Sequence, residues 1–473
     1  MPRDRLKRYP HFDSPLSPEA ATALATDPVA VARHPFRPLL LFQDVKRYFR
    51  RHGQPRKPPK KRPIRFAARG DAYIYMRYRD WLSCLYEERL GSLDLGDAVA
   101  AYRRVRSPYR RGNKCNIDFA YDAIGHIRRL RDCHVLCLDI KSFFESLDHA
   151  RLKEVWASLL GVGDLPPDHY RVFRSLTNYV EVDQLEVYRR LGFWGWKAVR
   201  NRGDLVEGYL VDRRQIPTQL CDARTMREVV FGEGGKHPKI AVRRTESYGI
   251  PQGTPISDLL ANMYMLDFDR DMKTLATSLG GHYSRYSDDI LFVVPADAVA
   301  PSVLERTVSD AISLQGDELR IAEAKTSVHR FAPDGDTLSC VAVGSTPPNK
   351  RFEYLGFRFD GRNVRLRDST LSVLRQKIAG TVRQEAVAQS RRYRSRTTDE
   401  ICDRYDYRRI YERYGRVRDF EDVTDKSGWT FWTYVKRIEE VMGPDARPIL
   451  RQLRNQKAQI RERFKHYVEK DRA

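Results

Sequence analysis

The sequence is poor in cysteine, and the few it has form neither a disulfide frame nor a zinc site. Seven occur in 473 residues, at Cys84, Cys115, Cys133, Cys137, Cys221, Cys340 and Cys402; the number is odd, the spacing is scattered and no CxxC pair is present. They read as reduced thiols, and a cytoplasmic location is expected. No run approaches the ~18 uncharged apolar residues of a membrane span, and the N-terminal MPRDRLKRYPHFD lacks an apolar stretch. Neither insertion in a membrane nor secretion is therefore expected. Acidic residues are outnumbered, with 63 Asp+Glu against 85 Lys+Arg for a net charge of +22. The basic residues recur along the whole chain, so a polyanion is the natural partner. Charge alone would also describe an ordinary basic protein.

Apolar material is sufficient to fold, at 41 % hydrophobic and 11 % aromatic. The length implies roughly two to four packed subdomains. Residues 1–60 are rich in proline and basic residues and lead into QPRKPPKKRPIR, which predicts an extended basic arm. The spacing of Tyr75, Tyr78, Leu82, Leu85 and Tyr86 predicts an amphipathic helix over residues 71–90. HVLCLDI predicts a buried strand that carries Asp139 at its end, and HARLKEVWASLLG a helix closed by Gly161. Residues 162–245 hold no repeat and give no clear pattern. From Ile256 the apolar spacing is helical again. HYSRYS and ILFVV then flank Asp288 and Asp289, which predicts a hairpin with acids at its turn. FEYLGFRFDGRNVRL predicts a further strand pair turning at Gly361. Beyond Ser369 the chain reads as helical and basic, with RRYRSR at residues 391–396 and apolar positions at Ile449, Leu453, Ile460, Phe464 and Tyr467.

The carboxylates suggest a chemistry. An acid ending an apolar strand is by itself most often a surface cap, and a DD pair in a turn is ordinary turn chemistry. If the strand bearing Asp139 and the hairpin bearing Asp288 and Asp289 were neighbours in one antiparallel sheet, three carboxylates would meet. Such a cluster is costly without cations, because each charge raises its neighbours' pKa. Two Mg²⁺ ions would relieve that cost and serve phosphoryl transfer to a hydroxyl.

Five ordered motifs extend the case. LDIKSFFESLDH (Leu138 to His149), GIPQGTPIS (Gly249 to Ser257) and YSDD (Tyr286 to Asp289) resemble motifs A, B and C of reverse transcriptases, with AEAKT (Ala322 to Thr326) and FEYLGF (Phe352 to Phe357) in the places of motifs D and E. KRPIRFAARGDAYIYMRYRDWLSCLYEERL and AYRR resemble the fingers motifs of bacterial members. The similarity covers roughly residues 60–360.

The resemblance implies an α+β right-hand polymerase. Its parts would be a basic arm over 1–60, fingers over 61–136, a palm over 137–360 with an insertion near 162–245, and a helical thumb over 361–473. It implies an RNA-directed DNA polymerase that uses dNTPs, an RNA template and two Mg²⁺ ions, with Mn²⁺ as a substitute. Asp139, Ile140, Asp288 and Asp289 would form the metal set, and Lys325 would support the leaving pyrophosphate. Phe144 would block a ribose 2′-hydroxyl, although beside Phe143 it also reads as a core residue. Gln252 and Gly253 would line the incoming nucleotide, and Arg62 and Arg65 would contact its triphosphate. Tyr354, Leu355 and Gly356 would grip the primer, and a plain buried strand reads equally well there.

Asp258 stands where many relatives have proline, and it favours a first helical turn. No VTG follows motif E, motif B is not the SQ variant, and no integrase, nuclease, maturase or RNase H motif is visible. What remains resembles stand-alone bacterial reverse transcriptases of the defence-associated, "unknown group" and abortive-infection types. A structured noncoding RNA is then the expected template, and antiphage defence the expected role. Template-independent or protein-primed synthesis would use the same residues. A catalytically silent relative that only binds RNA is the alternative outside enzymology.

Overall fold

The computed structural model describes residues 7–46, 58–198, 204–414 and 430–472. The chain opens with two short helices, α1 (Pro18–Thr26) and α2 (Pro28–Arg33), then strands β1 (Leu39–Lys46) and β2 (Lys60–Phe66) and the long helix α3 (Arg69–Ser92). Next come α4 (Asn116–Leu130), β3 (Cys133–Asp139), α5 (His149–Leu160), α6 (Pro167–Thr177), β4 (Val180–Asp183), α7 (Gln184–Arg190), β5 (Trp194–Ala198), β6 (Leu205–Tyr209), α8 (Ala223–Met226) and β7 (Val242–Arg243). The third stretch runs α9 (Ser257–Tyr264), α10 (Leu266–Ser278), β8 (His282–Tyr286), β9 (Asp289–Pro295), α11 (Pro301–Ser313), β10 (Ser327–Asp334) and β11 (Thr337–Val343). The small strands β12 (Glu353–Tyr354), β13 (Phe357–Phe359) and β14 (Val364–Leu366) precede the terminal helices α12 (Asp368–Arg392), α13 (Thr398–Arg404), α14 (Arg408–Tyr414), α15 (Phe431–Met442), α16 (Arg447–Gln452) and α17 (Gln456–Arg472). None of the described helices is long and apolar enough to cross a membrane, and all seven cysteines are free thiols.

The five-stranded sheet β11-β10-β3-β9-β8 is the centre of the molecule, and each neighbouring pair is antiparallel. Its inner strands are apolar on both faces because both are covered. Successive strand residues point to opposite sides. Leu136, Leu138, Ile290, Phe292 and Val294 accordingly pack with residues of α3, α5, α9, α10 and α11, while Cys133, Val135, Leu291, Val293 and Phe331 pack with residues of α4, β12–β14 and the C-terminal helices. One terminal helix pair closes the second core. On α12, Leu371, Leu374, Ile378, Val382 and Ala386 recur at three- and four-residue spacing and are buried, and on α17 Ile460, Phe464 and Val468 do the same. Val468, not Tyr467, is the buried residue at the end of that pattern.

One expectation needs correcting. The described part of residues 1–60 is not an extended arm: it holds α1, α2 and β1, and His11, Phe12, Leu39 and Leu40 are buried. The misleading signal was proline. Pro18 and Pro28 each stand at the start of a helix, behind the capping side chains of Ser17 and Asp27, where proline's missing N–H costs nothing. Residues 1–6 and 47–57, which include the first part of the proline run, lie outside the described residues. The segment 162–245, expected as an insertion in the palm, stands apart from the central sheet. Its strand β4 pairs with β1 and its strand β7 pairs with β4, giving a second sheet of order β2-β1-β4-β7 over a separate apolar core. The helical run from Ile256 is two helices that meet at Met265.

Candidate active site

Pairing of β3 with β9 sets the site. The register puts Asp139 directly opposite Asp289, and the Ile140 N–H donates to the Asp288 carbonyl at 2.9 Å. The turn between β8 and β9 is tight, with Ser287 at φ 61°. An acid-tipped strand and an acid-bearing hairpin, 149 residues apart in sequence, thus become one edge. Burial and the neighbouring carboxylates of Asp288 and Asp139 push the Asp289 pKa up to about 7. Burial and Asp139 also raise that of Asp288, against the opposing charges of Lys325 and Arg62. Lys325, in the short 3₁₀ turn Glu323–Lys325, bonds Asp139 Oδ1 through its ammonium. Oxygen-only donors that repel one another suit a hard divalent cation. Among the described residues no three His, Cys, Asp or Glu side chains are gathered into a ready-made metal group. The Lys325 ammonium is the positive charge bonded within this acidic edge. Ile140 is buried, so only its backbone could serve a cation there.

A cavity of about 880 Å³ opens beside Asp139, Asp289 and Lys325 and reaches Tyr354, Leu355 and Gly356. Leu355 at φ 45° and Gly356 at φ 94° turn the chain from β12 into β13. Phe144, Gln252, Gly253, Arg62 and Arg65 do not line that cavity. They gather where β2 meets the turn before α9. Gly253, at φ 113°, must be glycine, because a Cβ there would lie 2.8 Å from Ile64 Cγ2 and 3.0 Å from the Arg65 carbonyl oxygen. Inside the turn, Ser257 Oγ donates to the Pro251 carbonyl at 2.6 Å.

The two arginines differ. Arg62 is exposed on β2, and its charge is felt at Asp288. Arg65 is buried, with its guanidinium bonded to Glu145 and Glu181. The expectation that Arg65 meets a triphosphate is corrected here, since its donors are already committed to two carboxylates. Alternation along a strand sends residues three apart to opposite faces.

Residues 215–359 match the family model described as reverse transcriptase (RNA-dependent DNA polymerase). Over that span, under a third of the chain, the sequence is similar to reverse transcriptases. The expected α+β class holds for the described residues, which combine helices with an antiparallel central sheet. The matched span contains Gln252, Gly253, Asp288, Asp289, Lys325 and Tyr354; Asp139, Phe144 and the two arginines lie before it and are brought in by the fold. No curated protein sequence matches the chain. Similar solved structures include the apo telomerase of Candida tropicalis truncated from its C-terminal domain, at 12 % identity and TM-score 0.37, covering 70 % of this chain and 54 % of that one. The Candida albicans telomerase with a fragment of telomeric RNA is similar at 13 % identity and TM-score 0.36, covering 74 % and 51 %. The RNA-dependent RNA polymerase of a human picobirnavirus follows at 11 % and 0.32, covering 69 % and 43 %. The chain spans about half the length of these structures.

Three residues around this site escaped the sequence reading. Arg285 is fully buried, bonded to both Asp269 oxygens, and donates from Nη1 to the Ser287 carbonyl at 3.0 Å. Tyr102, at φ 64°, shares a 3.1 Å hydrogen bond with Ser287 Oγ. Asn116 donates from Nδ2 to the Leu355 carbonyl at 3.0 Å and to Tyr434 Oη at 3.1 Å, tying α4 to the β12–β13 turn and to α15. The Arg-Tyr step before the Ser-Asp-Asp turn carried a local signal for Arg285 alone, as a charge inside an apolar strand. Asp258, the departure in motif B, sits in the first turn of α9 and bonds Arg79 of α3 through both oxygens, at 3.1 and 2.8 Å.

Proposed function

We propose that the chain is an RNA-directed DNA polymerase that extends a 3′-hydroxyl with deoxynucleotides. The observation that carries this reading is the register of Asp139 against Asp289, with Asp288 at the adjoining turn and Lys325 on Asp139. Asp139, Asp288 and Asp289, with the Ile140 carbonyl, would hold two Mg²⁺ ions, for which Mn²⁺ could substitute. Such ions supply charge neutralisation and a more acidic hydroxyl. The remaining work falls to side chains and backbone. The primer 3′-hydroxyl loses its proton to solvent water as its oxygen bonds to the α-phosphorus and the bond from that phosphorus to pyrophosphate breaks. Lys325 gives the leaving pyrophosphate a proton or balances its charge. Arg62 takes the triphosphate, Gln252 and Gly253 line the nucleotide, and Phe144 excludes a 2′-hydroxyl. A primer end would lie in the cavity of about 880 Å³ that runs from Asp139 to Tyr354, Leu355 and Gly356.

An RNA template, with a structured noncoding RNA as its source, fits the net charge of +22 and the basic helices α12 and α17. Antiphage defence is the biological role proposed, on the resemblance of the motifs to stand-alone bacterial reverse transcriptases. Deleting the gene with its flanking sequence should raise phage plaquing; unchanged plaquing across a broad panel refutes that role.

The deciding experiment is nucleotide incorporation by the purified chain with Mg²⁺, comparing dNTPs with NTPs, with and without RNA template and primer, beside Asp288→Ala and Asp289→Ala. Template-dependent dNTP incorporation lost in both variants supports the reading. Template-free incorporation, or label on the protein itself, replaces it with untemplated or protein-primed synthesis. Tight RNA binding without incorporation replaces it with a binding role.

A further inference from the structure

Arg65 is 3 % exposed and joins three segments that are remote in sequence. Its Nη1 donates to Glu145 Oε1 at 2.7 Å, its Nε to Glu181 Oε2 at 2.6 Å, and its guanidinium carbon lies 5.5 Å from the ring centre of Tyr179. Its backbone N–H donates to the Gln252 carbonyl at 2.8 Å. Glu145 directly follows Phe144 in the 3₁₀ turn Phe143–Glu145, and the Phe144 carbonyl accepts from the Ile250 N–H at 2.8 Å. These contacts close a circuit: Arg65 to Glu145, along the backbone to Phe144, across to Ile250, along to Gln252 and back to Arg65. The strands of the circuit touch closely. A Cβ on Gly249 would lie 2.9 Å from the Glu145 carbonyl oxygen.

A guanidinium suits this place because it is planar, permanently charged and able to serve two carboxylates at once. Charge-assisted bonds are stronger than neutral ones, and the Arg65 side chain is buried while that of Glu145 is 33 % exposed, so the pair stiffens the circuit from the guanidinium side where Glu145 enters it. Stiffness matters beside an aromatic gate. Excluding one hydroxyl is a steric test, and it fails when the excluding ring shifts by a fraction of an ångström.

We propose that the Arg65–Glu145 ion pair is the brace that sets sugar selectivity: it fixes the Phe144 backbone against the turn that lines the nucleotide. The inference rests on the polymerase reading above, in which Phe144 excludes a 2′-hydroxyl. Arg65 and Glu145 act through Phe144 and are positioning residues; Arg62, on the opposite face of β2, remains the arginine for the triphosphate.

The test measures kcat/KM for a dNTP and for the matching rNTP in the wild-type chain, Glu145→Gln and Phe144→Ala, with thermal unfolding of each. Glu145→Gln keeps the side-chain size and removes the charge. The expected result is a fall of at least about tenfold in the dNTP/rNTP ratio, carried mostly by improved rNTP use, with Phe144→Ala relaxing the ratio further. A folded Glu145→Gln enzyme with an unchanged ratio, beside a relaxed Phe144→Ala enzyme, overturns the brace and leaves the gate standing. An unchanged ratio in Phe144→Ala removes the gate, and the brace with it. A wild-type chain that incorporates neither sugar removes the polymerase reading itself. Should Glu145→Gln fail to fold, Glu145→Asp keeps the charge and shortens the reach; it should shift the ratio the same way, and an unchanged ratio there overturns the brace equally.

Discussion

Arg285 and Asp269 form a fully buried ion pair, two parallel bonds of 2.7 and 2.6 Å, and the same guanidinium holds the carbonyl of Ser287 in the turn that presents Asp288. Asp269 also accepts from Tyr283 Oη at 2.6 Å, so one carboxylate on α10 holds two side chains of β8. Removing it strands a buried cation. Asp269→Ala should cost about 3–5 kcal/mol of unfolding free energy, read by denaturant titration. A loss below about 1 kcal/mol would mean that water or another group replaces the carboxylate.

Arg62 and Arg65 should separate cleanly when each is changed to alanine. Arg62 is exposed and should raise the KM for nucleotide with little change in melting temperature. Arg65→Ala leaves Glu145 and Glu181 without their buried partner and should lower the melting temperature measurably. Calorimetry of both variants beside steady-state kinetics checks the split; equal melting temperatures would contradict it.

Gly253→Ala tests the close approach of β2 to the turn before α9. The added methyl meets backbone atoms of Arg65 at 3.0 and 3.2 Å and adopts a φ that L-residues avoid, so one of the two segments must move. Nucleotide KM should rise and kcat fall together, by about tenfold or more in kcat/KM. A wild-type kcat/KM would show that the contact yields without consequence.

Acid should loosen the edge of the central sheet. The rings of His126 on α4 and His282 on β8 stack at 3.6 Å with an interplanar angle of 5°. Burial, with the charge of His126, holds the His282 pKa down at about 3; burial and Arg129 lower that of His126. Asp97 and Lys273 also bear on His282, and Asp122, Asp97 and Lys114 on His126. A histidine whose folded pKa lies below its unfolded value adds stability above the unfolded pKa and loses it as pH falls. The stack's contribution is therefore complete above about pH 6.5 and declines toward pH 3. The melting temperature should drop between pH 7.5 and 5, and His282→Phe should flatten that drop; an equal slope in the variant would assign the acid sensitivity elsewhere.

Local pattern was legible wherever side-chain period and chain punctuation agreed. HVLCLDI gave β3, the Ser287-Asp288 turn gave the β8–β9 hairpin, and HARLKEVWASLLG gave α5 ending at Gly161. Prolines misled at residues 18 and 28, because the residue that breaks a helix interior also starts one. Residues 180–183 and 242–243 were unreadable because β4 pairs with β1, about 140 residues away, and β7 pairs with β4, about 60 residues away, and no local spacing encodes either pairing.

The sequence by itself determined the residue types that phosphoryl transfer requires, their order, and the strand and turn that carry each acid. Covalent neighbours and side-chain periodicity are local properties, and they survive in a linear string. Only the tertiary structure decided which of these residues meet. It set Asp139 against Asp289 and turned Arg65 inward, leaving Arg62 exposed. It also supplied Arg285, Tyr102, Asn116 and Glu145 as supports. The reason is physical: a buried charge is tolerated only where a partner from elsewhere in the chain satisfies it, and the identity of that partner is fixed by packing.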